Sequence, residues 1–273
     1  MRSWELTPEE KAKPYAKYFS RPVAAPDPAH LELMARPIDP SKALMPENIN
    51  DLLNPGYLDV ETGWCVLPNG AAYIANMTTM PDVSIGMINW WFAWHGLADL
   101  NYKIWYPKCH FGISIPDAEE RARVLDPSTP MVKRFQGITH HVIEDIGGGP
   151  EEIFIPFMTP EEAGFDMERF NEEGVTLICA NGRSRPVDGS RPWAPAVVCH
   201  LIRPMNRGGV EYRTRFWIGY AIENKKFVCK LPPDFRIPEA APQGLAIHNV
   251  HEYTNLASFL PELYKEMTGQ IAV

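Results

Sequence analysis

His248 and Glu252 stand four residues apart in the stretch Gly244-Leu-Ala-Ile-His-Asn-Val-His-Glu-Tyr-Thr-Asn-Leu-Ala257, which has no internal Gly or Pro. On an α-helix such a pair projects from one face, one side chain above the other. A neutral imidazole and a carboxylate so placed form half of a divalent-metal site. Leu245, Val250, Leu256 and Ala257 suit a partly buried helix. The chemistry therefore depends on which other side chains reach the same point.

Setting aside His30, which lies in a proline-rich N-terminal segment, the candidates are His95, His110, His140, His141, His200, His251 and carboxylates on strands. Residues 137–147 alternate, with Ile138, His140, Val142, Glu144 and Ile146 on one side. A carboxylate on that apolar face needs a partner, because an unpaired buried charge is costly or neutralises itself. Residues 109–115 alternate too, which puts Cys109, Phe111, Ile113 and Ile115 on one face and His110, Gly112 and Ser114 on the other. Two histidines with two glutamates would suit Zn2+, the carboxylates cancelling its charge. Spacing alone equally allows a solvated His248/Glu252 pair and a Glu144 salt-bridged to an arginine. His200, among Val197, Val198, Cys199 and Leu201, reads either as a core histidine or as a catalytic one.

The elements that must position these groups can be read in outline. Residues 1–50 carry Pro14, Pro22, Pro26, Pro28, Pro37, Pro40 and Pro46 and form an extended arm with short helical turns. Residues 51–273 then form a single catalytic domain. Strands are predicted at 57–67 and 71–79, joined at Pro68-Asn69-Gly70. An aromatic helix over 82–100 follows, its Trp-rich run serving the core and its His95 the helix end. Further strands are predicted at 109–115, 137–147, 151–158, 175–181, 196–203, 209–222 and 227–230. A loop is predicted at 123–130 and a short Thr159-capped helix after 158. No βαβ alternation is present, so the class is α+β: a curved antiparallel sheet gripping a long C-terminal helix around a cavity.

The totals narrow the function further. With 273 residues, 45% of them hydrophobic, the chain can bury a large core, and a net charge of −8 argues against nucleic acid as its partner. Five scattered cysteines without C-x-x-C fit reduced thiols, and no run is apolar enough to span a bilayer, so a cytoplasmic enzyme is expected. Glycine-rich 147–149 lacks the spacing of a nucleotide loop. The arm suggests a homodimer.

Several segments together resemble a known family. They are Trp90-Trp-Phe-Ala-Trp-His95, Tyr102-Lys-Ile-Trp-Tyr-Pro-Lys-Cys-His110, Glu144, His200, the 208–219 strand and His248-x-x-x-Glu252. In order and spacing, from about Arg36 to Tyr253, they are similar to the diacetylphloroglucinol and phloretin hydrolases. The resemblance implies a Bet v 1-like helix-grip fold and a zinc-dependent hydrolase that cleaves the bond between an acyl carbonyl and a phloroglucinol ring. It implies zinc ligands at His110, Glu144, His248 and Glu252, with Tyr102, His200 and Tyr212 orienting the phenols and the reacting carbonyl. Gly112 and Ile113 depart from the polar side chain expected after the strand histidine, which shifts the expected substrate toward phloretin.

The implied chemistry starts from a keto tautomer of the ring, since an aryl carbanion leaves poorly. Zinc would supply the hydroxide, His200 would relay a proton or steady the oxyanion, and Tyr102 and Tyr212 would hold ring hydroxyls. Two rivals use the same residues differently. One is a helix-grip protein that binds a hydrophobic ligand without catalysis; the other is a non-haem iron oxygenase with two histidines and one carboxylate.

Overall fold

The computed structural model describes residues 3–170 and 174–269. Its N-terminal segment carries α1 (Pro8–Lys11), α2 (Pro28–Leu33) and three 3-10 turns, each opened by a proline at its first position. This segment packs firmly, burying Tyr18, Met34, Ile49 and Leu52. The strands β1 (Gly63–Val66) and β2 (Ala72–Met80) form the expected hairpin. Helices α3 (Ile85–Trp94) and α4 (Asp99–Lys103) occupy the aromatic stretch. Ala98, extended at φ −157°, divides what the sequence suggested was one helix.

Next come β3 (His110–Ser114), α5 (Ala118–Leu125), β4 (Thr139–Asp145) and β5 (Pro150–Met158). They are followed by β6 (Thr176–Pro186), β7 (Ala194–Pro204), β8 (Val210–Ile218), β9 (Tyr220–Glu223) and β10 (Lys226–Cys229). The chain then enters α6 (Ala240–Thr268), and its described part ends at Gly269.

Three expectations need correction. The loop predicted from residue 123 begins inside α5, whose cap is Asp117 accepting from the Glu119 and Glu120 amides; with only Val124 buried, that helix has little periodicity to betray it. The helix predicted after Thr159 stays a single turn. Thr159 and Glu162 cap each other, but Gly164 at φ +92° ends it at once. The strand predicted over 209–222 breaks at Gly219, whose φ of +94° turns the chain into the separate β9–β10 hairpin.

Eight strands make one antiparallel sheet in the order β1-β2-β8-β7-β6-β5-β4-β3. Alternation sends Val198, His200, Ile202 and Tyr212 toward the side of α3 and α6, and Val197, Cys199, Leu201 and Trp217 toward the other. One core thus lies between sheet and helices, and a second beneath the N-terminal segment and β9–β10. Helix α6 runs through Pro261, held on both sides by buried Leu256, Phe259, Leu260 and Leu263. All five cysteines are free, and no helix of the described residues is long and apolar enough to cross a membrane.

The β7–β8 turn yields a direct test. Gly209 has φ +72°, and a Cβ there would strike the carbonyl oxygens of Met80 and Pro81. Gly209→Ala should destabilise the protein by more than about 1 kcal/mol in urea unfolding; unchanged stability would contradict this backbone path.

Candidate metal centre

His110 and Glu144 lie directly opposite each other on β3 and β4, so their side chains leave the sheet on the same side. A β-bulge between His110 and Gly112 shifts the register there. As a result Ile113 also turns inward, opposite Val142, which simple alternation from His110 would not allow. From α6 the helical pair His248 and Glu252 comes down onto the same point. His110 Nε2 is 3.3 Å from His248 Nε2, 3.5 Å from Glu144 Oε2 and 3.6 Å from Glu252 Oε2. His248 Nε2 is 3.8 Å from Glu252 Oε2.

Those separations suit a cation. Bonds of about 2.0–2.1 Å in a tetrahedron put donor atoms roughly 3.3–3.5 Å apart. The ligand atoms of His110, Glu144 and His248 all lie within 4.8 Å of one another, and Glu252 joins them from the edge of the group. His110 Nδ1 donates to the Tyr102 carbonyl at 3.0 Å, so its Nε2 carries a lone pair facing the other imidazole. Two nitrogens and two carboxylates thus converge where no Lys or Arg among the described residues pairs with either acid. His248 and Glu252 are buried, which rules out the solvated-pair reading, and Glu144 has no arginine partner.

Protonation follows from burial. Burial pushes Glu144 up to about 7, against the Tyr102 hydroxyl that donates to its Oε2. Burial and the Glu144 charge push Glu252 well above its ordinary value, with Asn249 opposing through a 3.1 Å bond to Oε1. Burial holds His248 down at about 4 and His110 well below the usual imidazole range. In the metal-free protein, therefore, burial favours the protonated acids below about pH 7 and the neutral imidazoles.

Glu144, His248 and Glu252 line a cavity of about 100 Å³, and His110 Nε2 lies within 3.6 Å of each of them. His200 lines it, held neutral by burial, which lowers it to about 3. Its Nδ1 faces Thr214 Oγ1 at 2.9 Å and its Nε2 the Tyr253 hydroxyl at 3.2 Å, while Tyr212 donates to Tyr253 at 2.9 Å. Tyr102 lines the cavity and stacks on His110 at 3.9 Å. Tyr212 does not line it; Tyr253, which accepts from it, does. A larger groove of about 740 Å³ lies elsewhere, and Asp188 and Arg191 are the ionisable residues along it.

The remaining histidines sort themselves. His95 bonds its own helix at Trp91 O, 2.8 Å away, as a helix-end residue should. His140 lines the cavity, His141 pairs with Glu152 at 2.9 Å, and His251 stacks on Tyr106. Sequence reasoning missed Tyr253, Asn249 and Trp105, whose indole donates to the Glu252 carbonyl at 3.0 Å. Asn249 and Tyr253 were within reach of the pattern, since they repeat the spacing of His248 and Glu252 one residue on.

The family profile described as DAPG hydrolase PhiG domain matches residues 44–265. The chain belongs to this family. It is 36% identical over 266 residues to a phloretin hydrolase of Eubacterium ramulus, covering 94% of this chain and 92% of that one. It is 29% identical to a 2,4-diacetylphloroglucinol hydrolase of a Pseudomonas species, covering 93% of this chain and 88% of that one. As a DAPG hydrolase family member the chain is a hydrolase acting on carbon–carbon bonds in ketonic substances, which sets aside both the passive binder and the oxygenase.

The inverted protonation has a sign that can be measured. Because Glu144 rises from 4.5 to about 7, its contribution to the stability of the metal-free protein is full below 4.5 and lost as pH climbs through 7. His248, lowered from 6.5 to about 4, contributes fully above 6.5. Between about pH 6.5 and 8 the metal-free protein should therefore lose melting temperature while divalent-ion affinity rises, protons leaving the acids on binding. Calorimetric titration checks the affinity; an affinity flat across that window would contradict proton competition by the carboxylates. Glu252→Gln should lower both bound metal and turnover, and unchanged metal with full activity would remove Glu252 from the site.

Proposed function

We propose that this hydrolase holds zinc through His110, Glu144, His248 and Glu252 and cleaves the bond joining an acyl carbonyl to a phloroglucinol ring. The observation that carries the reading is the buried convergence of two imidazoles and two carboxylates beside a cavity, with no Lys or Arg among the described residues paired to either acid. Zinc held there supplies Lewis acidity and a water made nucleophilic near neutral pH. The names of the relatives supply the substrate class, and 36% identity to a phloretin hydrolase against 29% to a diacetylphloroglucinol hydrolase favours a dihydrochalcone such as phloretin.

We read the fold as a helix-grip. Strand β2 lies beside β8, the last strand of an antiparallel run from β3, with α3 and α4 in the crossover and α6 packed across β2, and these features support that reading. The free thiols suit a reducing compartment, and we place the enzyme in the cytoplasm.

The residues divide the work. Protonation of the ring carbon bearing the acyl group gives a β-dicarbonyl. Water oxygen then bonds to the acyl carbon, the carbon–carbon bond breaks, and its electron pair returns to the ring as an enolate. The products are phloroglucinol and a carboxylic acid. Tyr253, between His200 Nε2 and the Tyr212 hydroxyl, is placed to pass a proton at the ring. With Tyr253 donating to Nε2, neutral His200 keeps its own proton on Nδ1, where Thr214 accepts it. Tyr102 fixes Glu144 through its hydroxyl and walls the cavity with its ring. At about 100 Å³ the cavity is below the roughly 300–1,000 Å³ usual for small-molecule sites, so its rim must shift to admit the ring.

Metal analysis of the pure protein, alongside a panel of acylphloroglucinols assayed for released phloroglucinol, tests the reading. Phloretin should turn over faster than diacetylphloroglucinol; no release from any member of the panel would overturn the assignment. His200→Ala should keep its metal and lose rate by on the order of a hundredfold or more. Tyr253→Phe should likewise keep metal and lose rate, and full activity would take the hydroxyl out of the proton path.

A further inference from the structure

Glu252 is the inner end of a chain of hydrogen bonds that leads out to the N-terminal segment. Its Oε1 accepts from Asn249 Nδ2 at 3.1 Å. Asn249 Oδ1 accepts from Asn76 Nδ2 at 2.8 Å, and Asn76 Oδ1 faces His30 Nε2 at 2.8 Å. Asn76 also donates to Thr78 Oγ1 at 3.3 Å. Both amides are fully buried, Asn76 on β2 and Asn249 on α6, and His30 is half-buried on α2.

Once Glu252 is ionised, as a bound cation would hold it, the direction of every bond is forced. A carboxylate only accepts, so Asn249 must turn its NH2 to Glu252 and its oxygen to Asn76. Asn76 must then present NH2 to Asn249 and oxygen to His30, whose Nε2 must carry the proton. Three N–H groups in line point inward at one carboxylate. With Oε1 held by Asn249, only Oε2 is left facing His110 and His248.

The outer end is held as firmly. Asp27 caps α2 by accepting from the Ala29 amide at 2.9 Å. Leu31 and Met34 pack with Ala246 and Val250 of α6, and Met34 O accepts from the Trp64 indole at 2.8 Å. His30 is therefore fixed relative to the helix that carries Glu252.

We propose that His30, Asn76 and Asn249 are positioning residues that lock Glu252 in a single orientation, which makes the N-terminal segment a working part of the metal site. The proposal rests on the reading of Glu252 as a ligand. A mere packing role for the amides would give each residue an independent effect on folding and none on the metal.

The test uses the full chain, loaded with zinc or cobalt. Zinc affinity is measured by competition with a chromophoric chelator, and the d–d absorption of the cobalt form is recorded. Asn249→Ala should weaken zinc on the order of tenfold or more, and His30→Ala by a smaller factor in the same direction. In the double variant the two losses should not multiply, because removing Asn249 already disconnects His30. The cobalt spectrum should shift in His30→Ala although that side chain is two residues away from the ligand. Losses that multiply, or an unaltered cobalt spectrum in His30→Ala, would overturn the proposal. That histidine is only half-buried, so its spectrum decides the matter even if Asn249→Ala does not fold. Glu252→Gln separates the two levels. Zinc lost there but unaffected by the other variants fells the relay alone, whereas wild-type affinity in Glu252→Gln fells the ligand assignment beneath it.

Discussion

Two carboxylates buried within reach of two imidazoles, with no arginine or lysine among the described residues to balance them, set the terms for the whole molecule. Burying an ionised acid is expensive, and the protein's own remedy is to leave Glu144 and Glu252 protonated. A divalent cation removes that remedy's cost and its need together. Held there, it would attract both charges, share the His110 and His248 lone pairs, and make the cluster a cross-link between sheet and helix.

The fold meets this demand by three separate geometric devices. Cross-strand register puts His110 beside Glu144, the bulge after His110 lets β3 bring Ile113 inward beside it, and the helical repeat sets His248 over Glu252. None of these alone makes a site. Their agreement depends on where α6 sits over the sheet, and that is fixed by Trp105, which bonds the Glu252 carbonyl, and by Asn255, which donates to Trp105 O at 2.7 Å. The aromatic crossover between β2 and β3 thus holds the helix as well as filling the core.

What the sequence disclosed follows the range of the interactions. Local spacing exposed His248 with Glu252, and strand alternation exposed Glu144 with His140 and Val142. The bulge at His110–Gly112 was invisible because a register shift is a property of two paired strands, and its signature in one strand is only a glycine. Tyr212 was named through the family resemblance alone, which did not bring in Tyr253, its hydrogen-bond partner and the one of the two that lines the cavity. The His30–Asn76–Asn249 chain joins residues separated by 46 and 173 positions, which no window of sequence can span. His30 was set aside because it lies among prolines, yet prolines at the start of short helices are what fix such a segment in place.

The cavity also explains why its polar groups fall into two sets. One set, Glu144, His248 and Glu252 together with His110, offers nitrogen lone pairs and carboxylate oxygens, and so suits a cation. The other, running Tyr212–Tyr253–His200–Thr214, offers hydroxyl protons that can shift along a line without net charge. The proposed reaction, which adds water at a carbonyl while moving a proton to a ring carbon, would use both. If His200 bonded a carboxylate it would be drawn toward its charged form, and the proton would rest there. Thr214 is neutral, so the imidazole stays uncharged in its buried place and the hydroxyl proton of Tyr253 stays available in the cavity, as the proposed chemistry requires.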